Sequence, residues 1–180
     1  NTTGSADASA DLTIYTTRLD TTIGKVISPN EIASSPGEFV TVQLPATTAP
    51  FPQSTVDANT IVVQDPPGDP PALTDWWNHF DATAITQTAV PAGATMAVQY
   101  WDGTQWVDLP GAVDIAGPTV FSTDIPAGLD VQGLRFTYTF PDGAPPGTTV
   151  QPNVTMSLRD QLRDGSGPAA GTDATIENCA

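Results

Sequence analysis

Residues 134–140 read LRFTYTF and carry the clearest period-two pattern in the chain. Leucine and aromatic residues occupy every second position, and arginine and threonine fill the positions between them. Successive side chains of a β-strand point to opposite faces of the sheet. This stretch therefore predicts a strand with one face in a core and the other face in solvent.

Short runs with strand character recur on both sides of this stretch, separated by turn residues. They lie at 12–16, 23–27, 39–44, 60–64, 96–101, 106–109, 150–158 and 175–178. Residues 60–64 read TIVVQ, which is apolar on both faces and predicts a central strand. Residues 102–105 read DGTQ and predict a hairpin turn, with Gly103 at positive φ. The spacing predicts an all-β, antiparallel β-sandwich without a helix or an internal repeat.

The proline-rich stretch at residues 65–71, DPPGDPP, is the one candidate domain boundary, because its four prolines forbid strand pairing. The chain before it holds only about four strands, and that sheet would expose its inner face unless later strands covered it. We therefore predict a flexible N-terminal segment at residues 1–10 and a single β-sandwich domain at residues 11–180.

The charge balance excludes several classes of partner. Twenty acidic residues stand against five basic ones, which gives a net charge of -15. Such a surface repels nucleic acid and anionic lipid headgroups. No apolar run reaches the length of about 18 residues that a membrane-spanning helix needs. Because Cys179 and His79 are the only residues of their types, neither an internal disulfide nor a zinc pattern is expected. We predict no metal and no cofactor.

Several motifs resemble one family in their order and spacing. They are GKVISP at 24–29, GEFVTV at 37–42, VVQDP at 62–66 and the terminal IENCA at 176–180. Together they resemble the Ig-like repeat domain of cell-wall-anchored surface proteins of Gram-positive bacteria. DWWNHFD at 75–81 and VQGLRFT at 131–137 look similar to large actinobacterial members. The chain departs from the family pattern at Cys179, where threonine is usual, and in a long insertion between Pro66 and Gly128 that contains proline and tryptophan.

The resemblance implies a non-enzymatic domain with an Ig-like sandwich fold. It implies a stalk or spacer role in adhesion, outside the cell at the cell wall, within a longer polypeptide. The partners it implies are neighbouring domains of the same chain and a host glycan or matrix protein.

The only lysine, Lys25, is in phase with Ile23 and Ile27 on a strand, so its side chain is expected to point toward the core. A buried lysine is costly unless it is neutralised or paired. Asp65 and Asn178 are likewise in phase with apolar neighbours. The resemblance implies that such a lysine is joined to an asparagine side chain with the help of a buried acid. The hypothesis is therefore a Lys25–Asn178 isopeptide bond with Asp65 as the assisting acid. The alternative is that Lys25 extends to solvent from a strand edge while Asn178 closes a turn.

Four tryptophans offer an alternative function, a carbohydrate-binding module. Exposed tryptophan rings stack on sugars, and the candidates are Trp76, Trp77, Trp101 and Trp106. The competing interpretation is that one tryptophan of each pair fills the core while the other covers a sheet edge or pairs across the hairpin. The two functions differ in whether the four rings form one exposed strip.

The remaining candidate chemistry is weaker. Acidic loop residues offer oxygen ligands for calcium, at Asp65, Asp69, Asp75, Asp81, Asp160 and Asp164. Their spacing matches no calcium loop, so we interpret them as solvated charge.

Any histidine-dependent triad would need His79, and the chain has no G-x-S-x-G motif. We therefore predict no enzyme activity on an external substrate.

Overall fold

A computed structural model describes residues 12–171 and 173–178 of the chain. The predicted flexible segment at 1–10 and Cys179 lie outside the described residues. The strands are β1 (Thr21–Ile23), β2 (Val26–Ser28), β3 (Phe39–Gln43), β4 (Ala46–Thr48), β5 (Ala58–Asp65), β6 (Phe80–Val90), β7 (Thr95–Trp101), β8 (Trp106–Asp108), β9 (Ile115–Ala116), β10 (Thr119–Asp124), β11 (Leu134–Ala144), β12 (Thr149–Val150) and β13 (Asn153–Leu158). One short helix, α1 (Asp75–His79), lies between β5 and β6.

The strands form three antiparallel sheets. Sheet I has the order β10-β6-β13-β3-β2. Sheet II has the order β5-β11-β7-β8, and β9 pairs with β7 outside that path. A small third sheet has the order β1-β4-β12. Buried side chains from sheets I and II belong to one apolar cluster. The predicted all-β sandwich architecture is confirmed.

The stretch LRFTYTF forms the first part of β11, which lies inside sheet II with β5 on one side and β7 on the other. Its apolar positions face the core: Leu134, Phe136 and Tyr138 are each at most 1% exposed. The predicted hairpin is also confirmed, since Trp101 pairs with Trp106 across a turn in which Gly103 has φ of +94°.

Four predicted strands differ from the structure. The run at 23–27 is divided between β1 and β2, with Gly24 and Lys25 in neither strand. Residues 60–64 lie in β5, an edge strand of sheet II rather than a central one, and Val62 is 52% exposed on its outer face. Residues 12–16 and 175–178 belong to no strand. Period-two alternation favours an extended backbone, but a strand also needs a hydrogen-bonding partner, and sequence pattern alone does not supply one.

The helix α1 was not expected, because its five residues include no strong helix former. Its start is nevertheless capped: the Thr74 side chain accepts a hydrogen bond from the backbone N–H of Trp77. Asp75 places an acidic group in the first turn, where it complements the helix dipole. The helix turns both Trp76 and Trp77 into the core, where they are 3% and 1% exposed.

One core residue permits a direct test of the packing. The hydroxyl of Tyr138 is buried without a hydrogen-bond partner, and burial raises the pKa of this phenol. Because a buried unpaired hydroxyl costs free energy, Tyr138→Phe is expected to stabilise the domain by up to about 1 kcal/mol. Chemical denaturation of the two proteins checks this. A loss of more than about 1 kcal/mol in Tyr138→Phe would show that the hydroxyl has a stabilising partner.

Candidate functional site

Lys25, Asp65 and Asn178 come together from three distant parts of the chain. Lys25 lies immediately before β2, which is an edge strand of sheet I. Asp65 is the last residue of β5, an edge strand of sheet II. Asn178 lies in the segment 173–178, which belongs to no strand. The cluster therefore joins one edge of each large sheet to the C-terminal segment.

The distances within the cluster are short. The Lys25 Nζ donates a hydrogen bond of 2.6 Å to Asn178 Oδ1, across 153 positions of sequence. The same nitrogen lies 3.0 Å from Asp65 Oδ1. The amine thus touches both the carbonyl oxygen of the amide and an oxygen of the acid.

The cluster is largely removed from water. The Lys25 and Asp65 side chains are 9% and 3% exposed. Burial raises the pKa of the Asp65 carboxyl, because desolvation penalises its charged form, and this outweighs the opposing effect of the Lys25 charge. The predicted inward orientation of both side chains is therefore observed. Ile23, whose phase supported that prediction, is itself 45% exposed, because Lys25 follows β1 rather than lying within a longer strand.

Polar atoms without hydrogen-bond partners concentrate at this cluster. Among the described residues, four buried side-chain atoms have no hydrogen bond of normal geometry, and three of them are Asp65 Oδ1, Trp77 Nε1 and Asn178 Nδ2. The Asp65 oxygen still has its ion pair with Lys25. Trp77 and Asn178 approach the Asp65 carboxyl closely enough to lower its pKa, yet neither reaches a hydrogen bond of normal geometry. Buried polar groups are satisfied in the great majority of cases, so this concentration requires an explanation.

The arrangement contains the three groups that amide exchange needs. They are an amine that can act as a nucleophile, a carboxamide beside it, and a buried acid whose raised pKa favours the neutral form. Low dielectric surroundings also favour transfer of the Lys25 proton to Asp65, since a neutral pair costs less to bury than an ion pair.

The tryptophans do not form one exposed strip. Trp76 and Trp77 are buried in the core, and Trp76 stacks on Phe80 with ring centroids 4.2 Å apart. Trp101 is 9% exposed and packs beside Trp106.

The Trp106 ring is covered in turn by the guanidinium of Arg135, 4.1 Å from its centroid. Two of the four candidate sugar platforms are therefore core residues, and a third packs against its hairpin partner. The competing interpretation placed one tryptophan of each pair in the core, and it is wrong for Trp76 and Trp77, which are both buried because the helix turns both inward. Sequence reasoning did not identify the contact of Trp77 with Asp65. The signal available was the Thr74-Asp75 pair, which is a typical helix start.

Four of the six acidic candidates for calcium pair with other side chains outside the Lys25 cluster. Asp69 pairs with Arg135, Asp75 with His79 and Asp81 with two arginines, while Asp164 accepts from Asn78. Within residues 12–171 and 173–178, no group of three His, Cys, Asp or Glu side chains is arranged to hold a metal ion. The described part of the chain also has no helix long and apolar enough to cross a membrane.

Arg163 fixes the helix that carries Trp77. Its side chain, only 5% exposed, donates to the backbone oxygens of Trp77 and Phe80 and pairs with Asp81 and Asp130. Arg159 also pairs with Asp81, but its side chain is 25% exposed. The loop that follows β13 is thereby attached to both ends of the α1–β6 junction.

Arg163→Met is expected to lower the free energy of unfolding by about 2–3 kcal/mol, because it leaves buried carbonyl groups without donors. Arg159→Met is the matched control and should cost less than about 1 kcal/mol, since its pair with Asp81 is more exposed. Urea denaturation of both variants measures the difference. Equal losses would show that Arg163 has no special role in holding α1.

Comparisons with protein-family models, with curated proteins and with solved structures find no match for this chain.

Proposed function

We propose that this chain is a non-catalytic structural domain of a bacterial cell-surface protein, stabilised by an isopeptide bond between Lys25 and Asn178. The observation that carries the proposal is the buried contact of the Lys25 amine with both the Asn178 carboxamide and the Asp65 carboxyl. The exposed tryptophan strip that a carbohydrate-binding module needs has no counterpart among these residues, so the structural role is favoured.

The reaction transfers the Asn178 acyl group from one nitrogen to another. Asp65 first takes a proton from Lys25, which leaves a neutral amine beside a neutral acid. The amine attacks Cγ of Asn178 while the Asp65 acid donates to Oδ1, which carries the developing charge. Asp65 then recovers that proton and relays one amine proton to Nδ2. The C–N bond to Nδ2 breaks and ammonia leaves, so one amine and one amide give a new amide and ammonia.

The unpaired atoms of the cluster support this assignment. Asn178 Nδ2 is a buried donor without a partner, and the reaction removes it as ammonia. The buried amine charge disappears as well, because an amide nitrogen is neutral. Both changes remove costs of keeping polar groups away from water.

The position of the bond suits a domain under tension. The bond encloses nearly the whole sandwich, because its two ends are 153 positions apart. A force applied to the two ends of the chain would pass through the side chains of Lys25 and Asn178 and leave the enclosed strands unloaded. The segment 173–178 has no strand pairing of its own, so this bond would be its firmest attachment to the sandwich.

The wider setting follows from the resemblance and the charge. A spacer outside the cell, joined to neighbouring domains of the same polypeptide, is expected to carry a strongly acidic, solvated surface. With 20 acidic and 5 basic residues, the chain matches that expectation. Adhesion to a host glycan or matrix protein would then belong to the assembled surface protein.

Single-molecule force spectroscopy tests the mechanical role. Pulled from its termini, the wild-type domain is expected to release only the residues that precede Lys25, including β1, because the bond shields the enclosed chain. Asn178→Ala removes the acceptor and should release about 500 Å as its 153 enclosed positions extend. Equal extensions of the two proteins would refute the tension-bearing function.

A further inference from the structure

Trp77 is a buried donor next to the reacting acid. Its side chain is 1% exposed, and its indole Nε1 has no hydrogen-bond partner of normal geometry. Asp65 Oδ1 is buried too; it contacts Lys25 Nζ at 3.0 Å but accepts no hydrogen bond of normal geometry. A buried indole N–H usually finds an acceptor. A buried indole donor without an acceptor thus lies close enough to the Asp65 carboxyl to affect its pKa.

We propose that Trp77 is a positioning residue for the cross-link, whose indole N–H holds the Asp65 carboxyl in the orientation that serves Lys25 and Asn178. This inference rests on the proposed function, since it concerns the same reaction. Trp77 touches neither the amine nor the amide carbon in this assignment. It acts through Asp65, by holding the carboxyl group in the orientation in which it exchanges protons with Lys25.

Contacts elsewhere in the fold hold the Trp77 indole in place. Thr74 caps α1 at the N–H of Trp77, and Arg163 binds the backbone oxygen of the same residue. Both backbone polar groups of Trp77 are therefore fixed, and the ring lies in the core. Preorganised donors at a reacting group cost no rearrangement during the reaction, which is how such groups accelerate it.

The indole also favours the charged form of Asp65, which must accept the Lys25 proton. The charge that acts most strongly on Asp65 is that of Lys25, and the neutral donors facing the carboxyl are Trp77 from α1 and Asn178 from the C-terminal segment. Below the pKa of Asp65 the acid already holds a proton, so Lys25 cannot transfer its own. The cross-linking rate should therefore fall as pH falls through that pKa. Removing the indole donor raises the pKa, so the fall begins at a higher pH.

The test compares Trp77→Phe with the neighbouring Trp76→Phe. Trp76 is also a buried tryptophan of α1, but its Nε1 donates to the sulfur of Met156, 3.0 Å away. Each full-length chain is prepared unfolded by cell-free synthesis and refolded by dilution, and its intact mass is followed over time at several pH values. Trp77→Phe should cross-link roughly tenfold more slowly. In this variant the fall of the cross-linking rate at low pH should begin about one pH unit higher than in the wild type. Trp76→Phe should keep the wild-type profile.

A second measurement uses Asn178→Ala, which cannot form the bond. In this variant the indole proton resonance of Trp77 should titrate with the carboxyl carbon of Asp65, while that of Trp76 stays constant. The proposal is overturned if the Trp77 resonance does not shift as Asp65 titrates, or if both phenylalanine variants show the same pH profile. A wild-type chain whose intact mass shows no loss of ammonia would contradict the proposed function. The resonance titration would then still decide whether Trp77 holds Asp65.

Discussion

Asn178→Ala is expected to lower the thermal midpoint by about 10–20 °C, because it removes the cross-link and keeps the Lys25–Asp65 pair. A covalent tie restricts the unfolded chain, and for a loop of 153 positions the chain-entropy contribution is on the order of 5 kcal/mol. For a domain of this size each 1 kcal/mol shifts the midpoint by about 2–4 °C. Differential scanning calorimetry measures the shift directly.

The matched control for this prediction is Glu177→Ala. Glu177 precedes Asn178 in the same segment and is exposed to solvent. Its loss removes one charge next to the site but no group of the cluster, so the midpoint should stay near that of the wild type. If Asn178→Ala melts within about 2 °C of Glu177→Ala, less than 1 kcal/mol separates them and no covalent tie contributes.

Asp65→Asn is expected to lower the stability of the domain more than Asn178→Ala does. It removes both the proton relay and the partner of a buried amine. An amide keeps the shape of the side chain but cannot take the Lys25 proton. The cross-link should fail, and the chain should keep its full mass. Breaking a buried ion pair on one side costs about 3–5 kcal/mol in addition to the lost cross-link. Together these losses are a large fraction of the total stability of an ordinary domain.

Two further variants separate these causes. Asp69→Asn changes an exposed aspartate close in sequence, whose partner is Arg135, and should leave both the mass and the midpoint nearly unchanged. The double variant Lys25→Met, Asp65→Leu cannot cross-link but buries no charge, so it should melt above Asp65→Asn. Cross-linking at the wild-type rate in Asp65→Asn would exclude Asp65 as the assisting acid.

The sequence predicted the sandwich because its strongest pattern lies in a strand that has partners on both sides. Residues 134–140 form part of β11, which pairs on both sides, so alternation and burial coincide there. Residues 60–64 were misplaced because apolar character on two faces does not reveal that β5 has a partner on one side only. Edge or centre is decided by tertiary pairing, which a single strand does not encode.

The cluster of Lys25, Asp65 and Asn178 was predictable in part from residue phase along the strands. A single lysine in phase with apolar neighbours predicts a buried amine, and a buried amine needs a partner. The sequence could not show that Asn178 would reach it, since residues 175–178 form no strand and the contact depends on how the C-terminal segment lies. Nor could it show Trp77 beside Asp65, because that contact depends on a capped five-residue helix.

The intact mass of the wild-type chain shows whether the bond between Lys25 and Asn178 forms. We expect a mass lower than that of the sequence by one ammonia, and a branched peptide joining Lys25 to Asn178 after proteolysis. Cyclisation of Asn178 on its own backbone would also release ammonia, but that loss would persist in Lys25→Met, whereas the cross-link would not form. A wild-type chain with the full mass of its sequence, or one that loses ammonia equally in Lys25→Met, would contradict the account.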